Sequence, residues 1–184
     1  AEAAEEKALS VPPLESVNLQ EFDGSQPFSF VRCIKYTENG DLALGLANST
    51  EPLRYLASTP TGFRMHTASK MVPSERAPAP YALKDWTNMT ARGVLPVNTQ
   101  SVPGGRGNVV LSSYDDGTIR LQDLRTPSPI DTIYQDNFEI MTPLGPLLSY
   151  GTERFIAGNA RSSTIKIFDY RWSKPYHYTA ALPC

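Results

Sequence analysis

A phrase written more than once is the strongest constraint on what this chain can fold into. Leu111–Pro129 reads LSSYDDGTIRLQDLRTPSP, and Ala157–Pro175 reads AGNARSSTIKIFDYRWSKP. Laid together without gaps, Val109–Arg125 falls on Phe155–Arg171 at an offset of 46 residues. Thr118 then matches Thr164, Ile119 Ile165, Arg120 Lys166, Leu121 Ile167, Asp123 Asp169 and Arg125 Arg171. A looser copy, LALGLANSTEPLRYLAST, runs from Leu42 to Thr59. There Gly45 matches Gly158, and one extra residue brings Leu53-Arg54-Tyr55 opposite Ile165-Lys166-Ile167. Three copies in order are a repeat, and a period in the forties belongs to a small set of architectures.

Each unit reads as strands. Val109-Val110-Leu111 and Thr118-Ile119-Arg120-Leu121 are short and β-rich, and Asp115-Asp116-Gly117 separates them. An Asp-Gly pair between apolar runs supplies the positive φ that a tight hairpin needs. Helical repeats are disfavoured, because Pro and turn residues interrupt every apolar run before ten residues pass. Four strands are expected in each unit. The first holds Phe30–Tyr36, Leu42–Ala47, Leu53–Ala57 and Phe63–Thr67. The second holds Gly93–Val97, Asn108–Ser113, Thr118–Asp123 and Ile130–Gln135. The third holds Leu147–Tyr150, Arg154–Gly158, Thr164–Asp169 and His177–Ala181. Four short antiparallel strands per forty-odd residues make the blade of a β-propeller. The expected fold is therefore all-β: a partial propeller of about three four-stranded blades.

The same pattern sets the expected divisions: a tail or short helix over 1–26, blade one over 27–68, a Pro-rich insertion over 69–91, blade two over 92–136 and blade three over 137–184. The insertion is too long for an ordinary connection. Three blades fall short of the four to eight that close a ring, so further blades or self-association are expected.

Charge and composition exclude several classes. A net charge of −2 does not provide the basic surface that nucleic-acid binding needs. No apolar run approaches the ~18 residues of a membrane span, and no secretion signal pattern opens the chain. Cys33 and Cys184 are too few and too far apart for a disulfide framework, which points to reduced thiols in an intracellular setting, cytoplasmic or nuclear. His66 and His177 sit in no motif that supplies a nucleophile or metal partner. Gly104-Gly105-Arg106-Gly107 lacks the Lys-Ser/Thr ending of a phosphate loop. Neighbouring Asp115 and Asp116 point to opposite sides of a hairpin and cannot flank one bond. No catalytic residue, cofactor site or metal site is expected.

At SSYDDGTIRLQD, Ser112–Asp123, the chain resembles the WD repeat, with its Asp-Gly-Thr turn followed by an apolar strand and Trp-Asp. Gln122 and Phe168 stand where that family has Trp, and no Gly-His dipeptide occurs. The resemblance implies a buried hydrogen-bonded set in each blade, of which only Asp116 and Thr118 are present, so heavier reliance on apolar packing is expected. Longer stretches from Phe30, from Leu111 and from Pro146 resemble fungal F-box/WD-repeat proteins, and nearly the whole chain after residue 27 takes part. That resemblance implies a non-enzymatic substrate receptor of a cullin-RING ubiquitin ligase. An F-box outside this stretch would dock on the adaptor, and the propeller would hold the target.

Asp116, Gly117, Thr118, Asp123, Thr164 and Asp169 are expected as turn and repeat positions. Arg125, Arg171 and Trp172 are the candidate protein-binding residues, since Arg and aromatic side chains dominate binding hot spots. Phe168-Asp169-Tyr170-Arg171 fits the aromatic-Asp-x-Arg pattern of receptors that dock on the propeller adaptor of another cullin ligase. A local Asp–Arg pair or turn cap is the simpler use of the same residues. An assembly scaffold unrelated to ubiquitin is the alternative function.

Overall fold

A computed structural model of the chain describes residues 29–49, 51–66, 89–98, 107–123, 132–136, 142–159 and 161–172, with isolated positions at 12–13, 16 and 19. Eleven strands lie among the described residues: β1 (Phe30–Tyr36), β2 (Leu42–Ala47), β3 (Leu53–Thr59), β4 (Gly62–His66), β5 (Ala91–Pro96), β6 (Val109–Tyr114), β7 (Thr118–Asp123), β8 (Thr132–Gln135), β9 (Leu144–Tyr150), β10 (Arg154–Asn159) and β11 (Ile165–Asp169). They form three antiparallel sheets in chain order, β1-β2-β3-β4, β5-β6-β7-β8 and β9-β10-β11. Within each sheet, strands that follow one another in the chain lie side by side and antiparallel, which is the meander expected of blades.

Turn chemistry positions the strands. Between β6 and β7 three residues suffice, with Gly117 at φ +81 and its N–H donating to the Tyr114 carbonyl at 3.3 Å. That left-handed residue closing a three-residue loop is the reason for glycine there. Thr118 leaves the loop held by Asp116, whose Oδ1 accepts its backbone N–H at 2.9 Å and its hydroxyl at 2.7 Å. Asp115 faces elsewhere: its N–H donates to the Thr90 carbonyl at 3.2 Å, and its carboxylate accepts from the Thr90 N–H at 3.3 Å. These bonds start β5 at Ala91, two residues before the strand expected from Gly93.

The sheets stack face to face. One face of the first sheet places Ala43, Leu53 and Tyr55 against Val94 and Val110 of the second. The opposite face of the second sheet places Leu111, Ile119, Leu121 and Tyr134 against Leu147, Phe155 and Ala157 of the third. The strict alternation of strand side chains explains how one short strand serves both interfaces. In β6, Val110 faces the first sheet and Leu111 faces the third. Aromatic rings fill the second interface. Phe155 stacks on Phe168 at 5.2 Å and meets the edge of Tyr134 at 5.1 Å, while the Tyr134 hydroxyl donates to the Tyr170 carbonyl at 2.8 Å.

Small residues allow the sheets to approach. A Cβ on Gly45 would collide with the Cys33 Sγ and lie 3.1 Å from both Ala91 Cβ and Val94 Cγ2. Gly93 is equally confined at the next interface, where a Cβ would lie 3.1 Å from the Leu147 backbone nitrogen.

The three-dimensional register revises the ungapped alignment. Ser113 pairs with Ile119, whereas Gly158 pairs with Ile165, so the β10–β11 connection carries one residue more. The matches within β7 and β11 stand, but β6 and β10 correspond only after a one-residue shift. The equivalent positions are thus Gly45, Ser113 and Gly158, each opposite Leu53, Ile119 or Ile165. A one-residue slip would turn each side chain to the wrong face, so burial rather than identity sets the register. The expected strand His177–Ala181, the loop Gly104–Arg106 and most of the insertion over 69–91 lie outside the described residues.

Candidate protein-interaction surface

Two polar clusters contain most of the residues marked out by the sequence. The first is internal. Asp116 and Thr118, joined at the β6–β7 turn, receive Arg120, whose Nη2 donates to Asp116 Oδ2 at 2.8 Å and whose Nε donates to Thr118 Oγ1 at 3.1 Å. The guanidinium also lies 4.8 Å from the centre of the Tyr114 ring, a cation–π distance. Beside it, Ser112 Oγ is 2.7 Å from the Tyr114 hydroxyl and donates to Gln122 Oε1 at 2.8 Å. Burial pushes the Tyr114 phenol up to about 12, so it stays a neutral hydrogen-bonding group.

Asp116 and Thr118 thus belong to a larger buried polar set than the incomplete one expected from the sequence. Arg120 and Gln122 supply donors and acceptors in place of the His and Trp of the WD repeat. The clue present in the sequence was a basic residue at one repeat position. Arg54, Arg120 and Lys166 are equivalent, and each meets a carboxylate: Glu51, Asp116 and Asp136 respectively. The three pairs share no single sequence spacing, so only the folded chain reveals them.

The second cluster lies at the end of β11. Asp169 accepts the Arg171 backbone N–H at 2.9 Å, Nε at 2.9 Å and Nη2 at 2.7 Å. The first bond makes an Asx turn, and the other two form a bidentate fork. Arg171 Nη1 lies 3.0 Å from Glu153 Oε1. The Arg171 fork holds the Asp169 carboxyl down to about 2, and the two carboxylates hold the guanidinium above its ordinary value. Trp172 follows directly, its N–H donating to the Asp169 carbonyl at 3.1 Å, with its side chain exposed. An exposed Arg–Trp pair is thereby fixed in place at a strand end.

The remaining positions are separate. Thr164 closes the β10–β11 connection, its carbonyl accepting from the Asn159 N–H at 2.9 Å and its hydroxyl lying 2.8 Å from that of Ser162. Asp123 is buried at the end of β7. Arg125 and His177 lie outside the described residues, and His66 is placed only by its backbone pairing with Tyr55. Burial pushes the Cys33 thiol up. Among the described residues, no group of three or more His, Cys, Asp or Glu converges as a metal site, and no helix is long and apolar enough to cross a membrane.

No family model matches the sequence, and no curated protein matches it. Solved structures do. One chain of the crystal structure of a Mitotic Checkpoint Complex aligns with 82% of this chain at a TM-score of 0.51 and 15% identity. The alignment covers 37% of that chain. The Cps50 (Swd1) beta-propeller domain of Myceliophteria thermophila aligns with 78% of this chain at a TM-score of 0.46 and 15% identity, covering 40% of its own length. The fold class is therefore all-β, a partial β-propeller. More particularly, this chain spans about two-fifths of the length of the propeller chains it resembles, and its three sheets are successive blades.

Proposed function

We propose that this chain is a protein-binding WD-repeat module, the target-recognition part of an F-box type cullin-RING ubiquitin ligase receptor. The observation that carries the binding role is the end of β11, where a rigid sheet presents Arg171 and Trp172 to solvent, held by Asp169 and Glu153. Preorganised Arg and aromatic side chains lose little freedom when a partner arrives. The ligase role is supported by the resemblance of the stretches beginning at Phe30, Leu111 and Pro146 to fungal F-box/WD-repeat proteins. Arg125 remains a candidate beside Arg171 and Trp172.

Co-purification of the complete protein with its ligase adaptor tests the ligase role. Recovery of the adaptor and cullin supports it. Recovery of a stable complex lacking both favours the assembly scaffold instead. Trp172→Ala tests the binding surface, with loss of target capture expected while adaptor recovery is unchanged.

A second reading rests on the Phe168-Asp169-Tyr170-Arg171 sequence, in which Arg171 docks on the propeller adaptor of another cullin ligase. Its guanidinium is half exposed, yet the edge bearing Nε and Nη2 is already occupied by Asp169. A partner carboxylate would therefore have to approach through Nη1 and displace Glu153. Glu153→Gln should strengthen that docking, whereas Arg171→Gln should abolish it.

A further inference from the structure

Of the eight asparagines in the chain, Asn39 alone is followed by glycine, and the pair lies in the β1–β2 turn. The Thr37 N–H closes that turn on the Asp41 carbonyl at 2.8 Å, and the Gly40 N–H donates to the Thr37 carbonyl at 3.1 Å. Gly40 takes φ +82, and among the described residues no atom outside its chain neighbours lies within 4 Å of where a Cβ would stand. The Asn39 side chain, by contrast, is seated. Its Cγ, Nδ2 and Oδ1 all lie 2.7 Å from the point a Cβ would take on buried Gly107, so the carboxamide rests face-on against that residue. Nδ2 donates to the Gly107 carbonyl at 3.4 Å and lies 3.5 Å from Asn108 Oδ1. Glu38, one residue earlier, accepts from Asn98 Nδ2. A turn of the first sheet thereby latches both ends of the β5–β6 connection in the second. The Val97 N–H, which donates to the Val109 carbonyl at 2.8 Å, lies between the two fastenings.

We propose that Asn39-Gly40 is a deamidation site, and that its conversion unfastens this latch. A glycine after the asparagine has no side chain to hinder ring closure. The Gly40 nitrogen attacks Asn39 Cγ, forming an N–Cγ bond as the Cγ–Nδ2 bond breaks, and ammonia departs with the Gly40 proton. Water then opens the cyclic imide at either of its carbonyls, returning a proton to the Gly40 nitrogen. One opening leaves an aspartate, and the other an isoaspartate whose main chain runs through Cγ. The turn's own bonds gate the first step, since Gly40 must release the Thr37 carbonyl and the carboxamide must leave Gly107. An exposed turn opens locally, without unfolding the sheets behind it. The product does not reseat. The Gly107 carbonyl can only accept a hydrogen bond, and a carboxylate has no donor to offer it. The new charge also follows Glu38 directly and precedes Asp41 by two residues, so like charges oppose closure of the turn.

Ageing the purified 184-residue chain in mildly alkaline buffer, followed by peptide mapping in a mass spectrometer, tests the chemistry. Asn39 should convert before the other seven asparagines, with isoaspartate detected by enzymatic carboxyl methylation. Asn39→Gln should abolish that signal, because the longer side chain disfavours the ring. Amide hydrogen exchange at Val97 tests the latch. The converted fraction, separated by its added charge, should exchange Val97 about fivefold faster than the unconverted chain, the effect of losing one hydrogen bond. Asn39→Asp should match it, with circular dichroism to confirm the fold. Should that variant misfold, the aged fraction of the native chain gives the same reading by itself. An Asn39 that remains an amide in the folded chain, whether or not it converts in urea, overturns the proposal. Conversion that leaves Val97 exchange unchanged also overturns it, by showing that the carboxamide fastens nothing.

Discussion

Arg120 and Asp116 meet at 2.8 Å between the first and second sheets, with both side chains almost wholly out of water. The pair is more than an ion contact. Asp116 also holds the turn through Thr118, and the guanidinium lies over Tyr114, so one buried carboxylate links a hairpin to a blade interface.

Removing one member strands the other. Arg120→Met should destabilise the fold by about 3–5 kcal/mol, the range for breaking a buried ion pair. Adding Asp116→Leu to that variant should recover much of the loss. It will not recover all of it, because the two bonds to Thr118, each contributing about 1 kcal/mol, are then absent. Urea unfolding midpoints of the single and double variants measure this. A double variant less stable than Arg120→Met would show that the turn bonds dominate.

Gly45→Ala places a methyl group against Cys33, Ala91 and Val94 at the first interface. Overpacking of this kind costs about 1–3 kcal/mol. Adding Cys33→Ala should relieve part of the cost, since Sγ is the nearest atom in the way. The comparison of thermal midpoints for the single and double variants is the check.

Asp169 and Arg171 make acid behaviour readable. With its folded pKa held at about 2, Asp169 stabilises the fold fully above its unfolded value of about 4. The contribution then fades as pH falls toward 2. The group is open to solvent, so the contribution is small. Titration of the Asp169 carboxyl by NMR should return to the ordinary carboxylate range in Arg171→Gln. An unmoved midpoint would assign the depression to another group.

Alkaline stability should fail in a defined window. Burial raises Tyr55, Tyr114 and Tyr170 to about 12, while the unfolded phenols ionise near pH ~10. A folded value above the unfolded one contributes fully below pH ~10 and is lost as pH rises toward 12. Unfolding free energy should hold to pH ~9.5 and then decline. Absorbance at the phenolate band should rise together with loss of structure, and phenolate appearing first in the folded state would contradict the burial.

Much of the blade pattern could be read from local chemistry. Alternating apolar residues and an Asp-Gly loop specify a hairpin wherever they occur, so β1, β2 and β7 have the bounds expected of them. The Asx turns at Asp116 and Asp169 were equally local, since their partners lie two residues away.

Strand, turn and repeat were therefore legible along the chain, since each depends on near neighbours. Packing between sheets settled the remainder. It set the one-residue shift between β6 and β10, because a register is chosen by the face that must be buried. Stacking closed the Arg120–Asp116 pair of the β6–β7 hairpin off from water, and it gave Lys166 a partner, Asp136, from the preceding sheet. Lys166 and Asp136 stand 30 residues apart, and stacked sheets bring together atoms that the chain order keeps apart.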